Sequence, residues 1–186
     1  GECLVLITPD NERTMNTFLG SSSLLSENDI SKESIKDSNY LLIEGYLVTS
    51  DTTLNVGIAA INIAHENNTR VVITLSDPNI VSYFRDNMMK LFNKKSHIIF
   101  CNEQEALNFS QTDNLKDAEK FMKELTDMYI ITLGSKGAIC FDGTNDHKIS
   151  GHQVESKDFT GAGDMFLGAF MHQYIDTNIL ESMKFA

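Results

Sequence analysis

YLLIEGYLVTSDTTLNVGIAAINIAHENNTRVVITL, residues 40–75, contains one complete unit of the fold. It opens on the strand-like run YLLIE (residues 40–44) and closes on RVVITL (residues 70–75). Between them Leu54, Ile58, Ile61 and His65 recur at spacings of three and four, so residues 53–65 predict a helix with one apolar stripe. Strands almost continuous in apolar residues are covered on both faces, as in a parallel sheet. Strand, helix and strand therefore read as a right-handed crossover unit.

The same alternation continues on both sides. Residues 4–8, 97–101, 128–133, 138–141 and 147–150 read as further strands. Ile80, Phe84, Met88 and Leu91 predict one helix over residues 80–92, and Leu115, Ala118, Met122 and Leu125 another over 115–125. GTND (residues 143–146) between two short strands predicts an antiparallel hairpin, and residues 13–19 are a further extended piece. The expectation is a single α/β domain over residues 1–186, with a mainly parallel, Rossmann-like sheet and an antiparallel hairpin. Ligands in such a sheet bind beyond the carboxyl ends of the parallel strands.

Composition narrows the function. With 186 residues, 41% of them hydrophobic, the chain can bury a sizeable core. Its net charge of −11 argues against nucleic acid and against an anionic membrane surface, both of which need clustered Lys and Arg. A nucleotide is compatible, because backbone amides and a cation can hold phosphates. No apolar run approaches the ~20 residues of a membrane span, and no secretion signal is visible. Cys3, Cys101 and Cys140 stand far apart in apolar settings and read as reduced core thiols of a cytoplasmic protein. The five histidines show no metal-binding spacing.

DFTGAGDMF, residues 158–166, carries the chemistry. Thr160 is placed to cap a helix starting near Ala162, whose stripe is Phe166, Phe170 and Tyr174. Such a start offers the amides of Gly161, Ala162 and Gly163 and the positive end of the helix dipole to an anion. Asp164 would repel that anion unless it takes a proton from an attacking hydroxyl, with the amides stabilising the transferring group. The plain alternative is a glycine-rich turn with an acid in the first helical turn. The stretch is neither GxGxxG nor a GxxxxGK[ST] loop.

DFTGAGD also resembles the DTxGAGD signature of the ribokinase-like (PfkB) carbohydrate and nucleoside kinase family. Four further segments agree in order: TPDNERTMNTFLGSS (residues 8–22) and IEGYL (43–47) are similar to the adenosine-kinase-like branch, CNEQEA (101–106) to the NxxE element, and ITLGSKGA (131–138) to the TxGxxG nucleotide turn. The resemblance implies a three-layer αβα fold and ATP-dependent phosphoryl transfer to a hydroxyl of a sugar or nucleoside. It makes Asp164 the catalytic base and Gly161, Ala162 and Gly163 the anion hole. Asn102 and Glu105 would position Mg2+, with Asn102 also near ATP, and Thr132, Gly134 and Gly137 would border ATP. Asp158 and the Thr160 carbonyl correspond to a site for a monovalent cation such as K+, although Phe159 stands where the family usually has Thr. Arg13 either neutralises the transferring phosphoryl group or pairs with Glu12 or Asp10 at the surface. Taken alone, Asn102 reads as a cap, Glu105 as a first-turn acid, and Gly134 and Gly137 as a hairpin turn.

The chain starts on Gly1 and stops within an amphipathic pattern, and so reads as a piece of a longer protein. The lid and the substrate-holding N-terminal segment are expected to lie outside it, leaving the isolated chain a weak catalyst. A homodimer is one expected assembly. The alternative function is a non-catalytic nucleotide- or ligand-binding module on the same fold; intact GAGD and NxxE sequences count against it.

Overall fold

The computed structural model describes residues 1–8, 13–152 and 160–186. Its first two strands, β1 (Glu2–Ile7) and β2 (Arg13–Phe18), pair antiparallel from Glu2 opposite Phe18 to Ile7 opposite Arg13. They form a two-stranded sheet of their own. Residues 4–7 are thus a strand, but every residue of β1 is exposed, which corrects the reading of Cys3 as a core thiol; Cys101 and Cys140 are buried. An apolar run signals a strand, but it does not say which sheet receives it.

A short helix, α1 (Lys32–Lys36), leads into β3 (Tyr40–Glu44), α2 (Asp51–Glu66) and β4 (Arg70–Thr74). This is the expected crossover, with β3 and β4 parallel and Leu42 beside Val72. The Ser50 hydroxyl accepts from Thr53 N–H at 3.2 Å and caps α2. Then come α3 (Pro78–Tyr83), α4 (Arg85–Lys90), β5 (Ser96–Asn102), α5 (Glu103–Ser110), α6 (Leu115–Leu125) and β6 (Thr126–Thr132). The chain finishes with β7 (Ala138–Phe141), β8 (Asp146–Ile149), α7 (Ala162–Tyr174) and α8 (Ile179–Phe185). The larger sheet has the order β3-β4-β5-β6-β7-β8, parallel as far as β6 and antiparallel beyond.

Alternate side chains of the central strands go to opposite faces. Val71, Ile73, Ile99, Tyr129 and Ile131 join the core with Leu54, Ile61, Phe109 and Met122 from α2, α5 and α6. Val72, Ile98, Phe100, Met128 and Ile130 form a second core with Phe170, Ile179 and Met183 from α7 and α8. These are the three layers. Phe170 is fully buried, meets Phe100 edge-on at 5.2 Å between centroids, and stacks on Tyr174. Burial of each large apolar side chain contributes about 1.5–3 kcal/mol.

The helix expected over residues 80–92 is instead two short helices, broken at Phe84, whose φ of −121° and ψ of 27° are not helical. The break lets Arg85 donate from Nε to the Phe109 carbonyl at 2.8 Å and lie over the Phe109 and Phe121 rings. Tertiary contacts with α5 and α6 override the local periodicity.

Candidate active site

Four parallel strands deliver their carboxyl ends to one cavity of about 530 Å³. β3 contributes Glu44, β4 Thr74 with Ser76 just beyond it, β5 Cys101 and Asn102, and β6 Thr132. Thr160, Gly161, Ala162, Gly163 and Asp164 line the same cavity, as does Met15 of β2. The GAGD turn, the NxxE element and the Thr132 turn, dispersed along the chain, are thus neighbours around one opening.

α7 begins differently from the expectation. Gly161, not Thr160, is the N-terminal cap residue; it has φ 75° and ψ 5° and no side chain with which to cap the helix. That left-handed conformation is what requires glycine at position 161. A Cβ added at Gly161 or Gly163 would meet no atom of the described residues within 4 Å. The first-turn N–H groups have no partner inside the helix, and the positive end of its dipole lies behind them. Asp164, third residue of the helix, is exposed. An anion at this helix start would have both the amides and the carboxylate within the same cavity.

Asn102 and Glu105 are joined by a reciprocal capping box. Glu105 N–H donates to Asn102 Oδ1 at 2.8 Å, Asn102 N–H donates to Glu105 Oε2 at 3.0 Å, and Asn102 Nδ2 donates to Oε1 at 2.8 Å. Glu105 is nonetheless only 5% exposed. Burial, opposed by the Asn102 N–H and aided by the charge of Asp77, pushes its carboxyl up to about 7. Asn102 is thus the cap and Glu105 the first-turn acid that the sequence alone suggests, and both residues also line the cavity. Among the described residues no three His, Cys, Asp or Glu side chains cluster as metal ligands. A buried carboxylate at the cavity wall suits a divalent ion held mainly by phosphates and water, since Mg2+ needs only one or two protein groups.

The proposed nucleotide residues divide. Thr132 and Asn102 line the cavity, and Thr132 Oγ1 donates to the Cys101 carbonyl at 3.5 Å. Gly134 and Gly137 lie in the tight β6–β7 connection and are not among the lining residues. Gly134 has φ 58° and faces open space, whereas a Cβ at Gly137, with φ 96°, would overlap the Ile149 carbonyl. Gly137 is therefore demanded by the packing of the hairpin. Lys136 lies 3.9 Å from Glu103 at the start of α5. Arg13 opens β2 opposite Ile7. Asp158 and Phe159 lie outside the described residues, as does the Arg13 side chain.

Sequence reasoning gave no site role to Glu44, Tyr46 or Ser76. Each follows an apolar strand closely, at the strand end where α/β sheets bind ligands, which is the signal that was available. Tyr46 sits in the 3-10 turn Gly45–Thr49. Burial raises its hydroxyl pKa, and the charges of Asp77, Asp164, Glu105 and Glu44 raise it further.

Fold and site together define a three-layer α/β protein with an anion-receptive helix start and several carboxylates around one cavity. The chain belongs to the pfkB family of carbohydrate kinases, whose model matches residues 1–186. Among curated proteins it is 24% identical to a ribokinase of Dictyostelium discoideum, covering 96% of this chain and 60% of the relative. It is also 24% identical to an adenosine kinase of Schizosaccharomyces pombe, covering 92% and 55%. Among solved structures, adenosine kinase from Sinorhizobium meliloti superposes with a TM-score of 0.91 at 28% identity, covering 97% of this chain and 56% of that one. A putative ribokinase II from E. coli, in complex with ATP and Mg2+, shares the fold with a TM-score of 0.84 at 20% identity, covering 97% and 60%. The chain spans a little over half the length of these relatives.

Proposed function

We propose that this chain belongs to an ATP-dependent phosphotransferase that moves the γ-phosphate to a hydroxyl of a sugar or nucleoside, of the adenosine or ribose type. The observation that carries the reading is that Asp164 and the Gly161–Gly163 turn open on the cavity that also holds Asn102, Glu105 and Thr132. A protein that only bound a nucleotide would have no use for an exposed carboxylate beside an anion-receptive helix start.

In this reaction the acceptor oxygen forms a bond to the γ-phosphorus, the bond from that phosphorus to the bridging oxygen breaks, and ADP leaves. Asp164 takes the proton of the acceptor hydroxyl, which makes the oxygen a better nucleophile as it attacks. The N–H groups of Gly161, Ala162 and Gly163 stabilise the negative charge on the transferring group. Thr132 borders the nucleotide, together with the backbone of the Gly134–Gly137 turn. Mg2+, when bound, neutralises phosphate charge, and Asn102 and Glu105 would hold it there, largely through water. Arg13 would add charge at the transferring phosphoryl group. Asp158 and the Thr160 carbonyl would serve a K+ ion. The substrate is a small molecule. Among the described residues no helix is long and apolar enough to cross a membrane.

The test is a phosphorylation screen with ATP against adenosine, other nucleosides, ribose and fructose, run with the full-length protein that contains this chain and with its Asp164→Asn variant. Asparagine keeps the shape and removes the base, so turnover should fall about 10²–10⁴-fold while ATP affinity by calorimetry changes little. Turnover that survives the substitution sinks the assignment of Asp164. Tight nucleotide binding by the wild type, with no product from any acceptor, favours the non-catalytic binding module.

A further inference from the structure

Glu44, the last residue of β3, and Tyr46, in the five-residue 3-10 turn Gly45–Thr49 that follows, line the cavity, and such a turn has poor internal hydrogen bonding. Side chains brought from elsewhere hold this turn. Thr53 Oγ1 donates to the Leu47 carbonyl at 2.6 Å, and Asn87 Nδ2 donates to the Val48 carbonyl at 3.1 Å. At the cavity end, Gly45 N–H donates to Ser76 Oγ at 2.8 Å, across 31 residues of sequence. Ser76 Oγ in turn donates to the Thr74 carbonyl at 3.4 Å, so the hydroxyl both accepts and donates.

Two features make this contact more than incidental. Ser76 has φ 72°, a left-handed conformation that side chains with a Cβ rarely adopt and that glycine would adopt without strain. A strained serine at a cavity wall invites the question of what its hydroxyl does. Gly45 is pressed so closely on the next loop that a Cβ would come within 2.6 Å of the Leu75 carbonyl and 2.8 Å of the Met88 methyl. The two loops are thus held face to face, and Ser76 supplies the hydrogen bond between them.

We propose that Ser76 is a positioning residue that clamps Gly45 and thereby fixes Glu44 and Tyr46 as the acceptor wall of the cavity. This rests on the phosphotransferase reading. In that reading ATP lies towards Thr132 on β6, and the phosphate crosses at the α7 start. Glu44 ends β3, Tyr46 follows it and Ser76 follows β4, so all three stand at the other end of the parallel strand order. The sugar or nucleoside carrying the hydroxyl occupies that end. Ser76 acts on it through Glu44 and Tyr46.

The experiment compares Ser76→Gly, Ser76→Ala and wild type in the full-length protein that contains this chain, each with and without Tyr46→Ala. Glycine suits the left-handed φ, so Ser76→Gly removes the hydroxyl without adding strain. Amide exchange of Gly45 by NMR should accelerate about tenfold in both variants while Ile99 in the central strand keeps its wild-type rate. The acceptor KM should rise about tenfold with the ATP KM unchanged, and this effect should shrink in the Tyr46→Ala background. Unchanged Gly45 exchange in Ser76→Gly overturns the proposal, as does wild-type acceptor KM in Ser76→Gly or a parallel rise of both KM values. If the wild type phosphorylates nothing, the kinase reading fails, and Gly45 exchange still decides whether the clamp exists.

Discussion

Asn102 and Glu105 hold each other at both ends of one helical turn: each backbone N–H donates to the other's side chain, at 3.0 and 2.8 Å. The box that starts α5 is thus also the acidic wall of the cavity. Two demands meet there. Capping favours a carboxylate at the third helical position, whereas burial at 5% exposure disfavours its charge.

A pH dependence follows from Glu105. Its folded-state pKa, about 7, lies above the ordinary glutamate value, chiefly because burial penalises the anion. The group's contribution to stability is therefore fully present below the unfolded pKa and is lost as pH rises through 7. Glu105→Gln removes this dependence. Denaturant titrations of wild type and variant should diverge between about pH 4.5 and 7, with the wild type losing on the order of 1–3 kcal/mol relative to the variant. Parallel stability profiles across that window would mean that the acid is ionised at no cost.

Two glycines with positive φ should respond differently to alanine. At Gly161 a Cβ meets no atom of the described residues within 4 Å, so Gly161→Ala carries the left-handed penalty, about 1–2 kcal/mol. At Gly137 the same penalty is joined by overlap with the Ile149 carbonyl and crowding against Gly151 N at 2.6 Å. Gly137→Ala should lose at least ~3 kcal/mol or fail to fold, because backbone atoms cannot rotate aside. Thermal unfolding separates the two. Nucleotide binding gives the opposite ranking of interest: Gly161→Ala should weaken it while the protein remains folded.

The part of this molecule that was legible in sequence is the part whose signals are local. The run at residues 40–44, the hairpin strand at 138–141 and the helix at 115–125 have the bounds their apolar spacing predicts. The break at Phe84 was not legible, because it answers to Arg85 packing on Phe109 and Phe121 from other helices. Nor was the separate position of β1, since Leu4–Leu6 have the same apolar character as a buried strand. At the site, GAGD and NxxE announce themselves by spacing. Glu44 and Ser76 do not, because only the parallel pairing of β3 with β4 brings their loops together.

Phe170 tests the second core directly. It is fully buried between the sheet and α7, against Phe100 and Tyr174. Phe170→Ala should cost about 3–5 kcal/mol, read as a lower denaturation midpoint with unchanged slope. Since Phe170 lies on the helix that begins at Gly161 and Asp164, loosening this core should also weaken anion binding at the helix start. Phe170→Leu, which refills much of the volume, should recover most of both losses.

The β1–β2 ribbon should be the least protected pair of strands. Six ladder pairs join it internally, yet Leu4, Leu6, Ile7 and Phe18 are each more than half exposed and little burial backs the hydrogen bonds. A lone two-stranded ribbon is marginal in water. Amides of Leu4 and Leu6 should therefore exchange through local opening, at rates insensitive to mild denaturant. Ile98 to Phe100, in the centre of the larger sheet, should exchange only through global unfolding, with a steep denaturant dependence. The difference in opening free energy should approach the full stability of the domain. Replacing Phe18 by Ser, which removes exposed apolar surface, should leave the protection of Ile98 to Phe100 unchanged and reduce self-association at high concentration. Equal protection in the ribbon and the central strands would show that something covers the ribbon in solution.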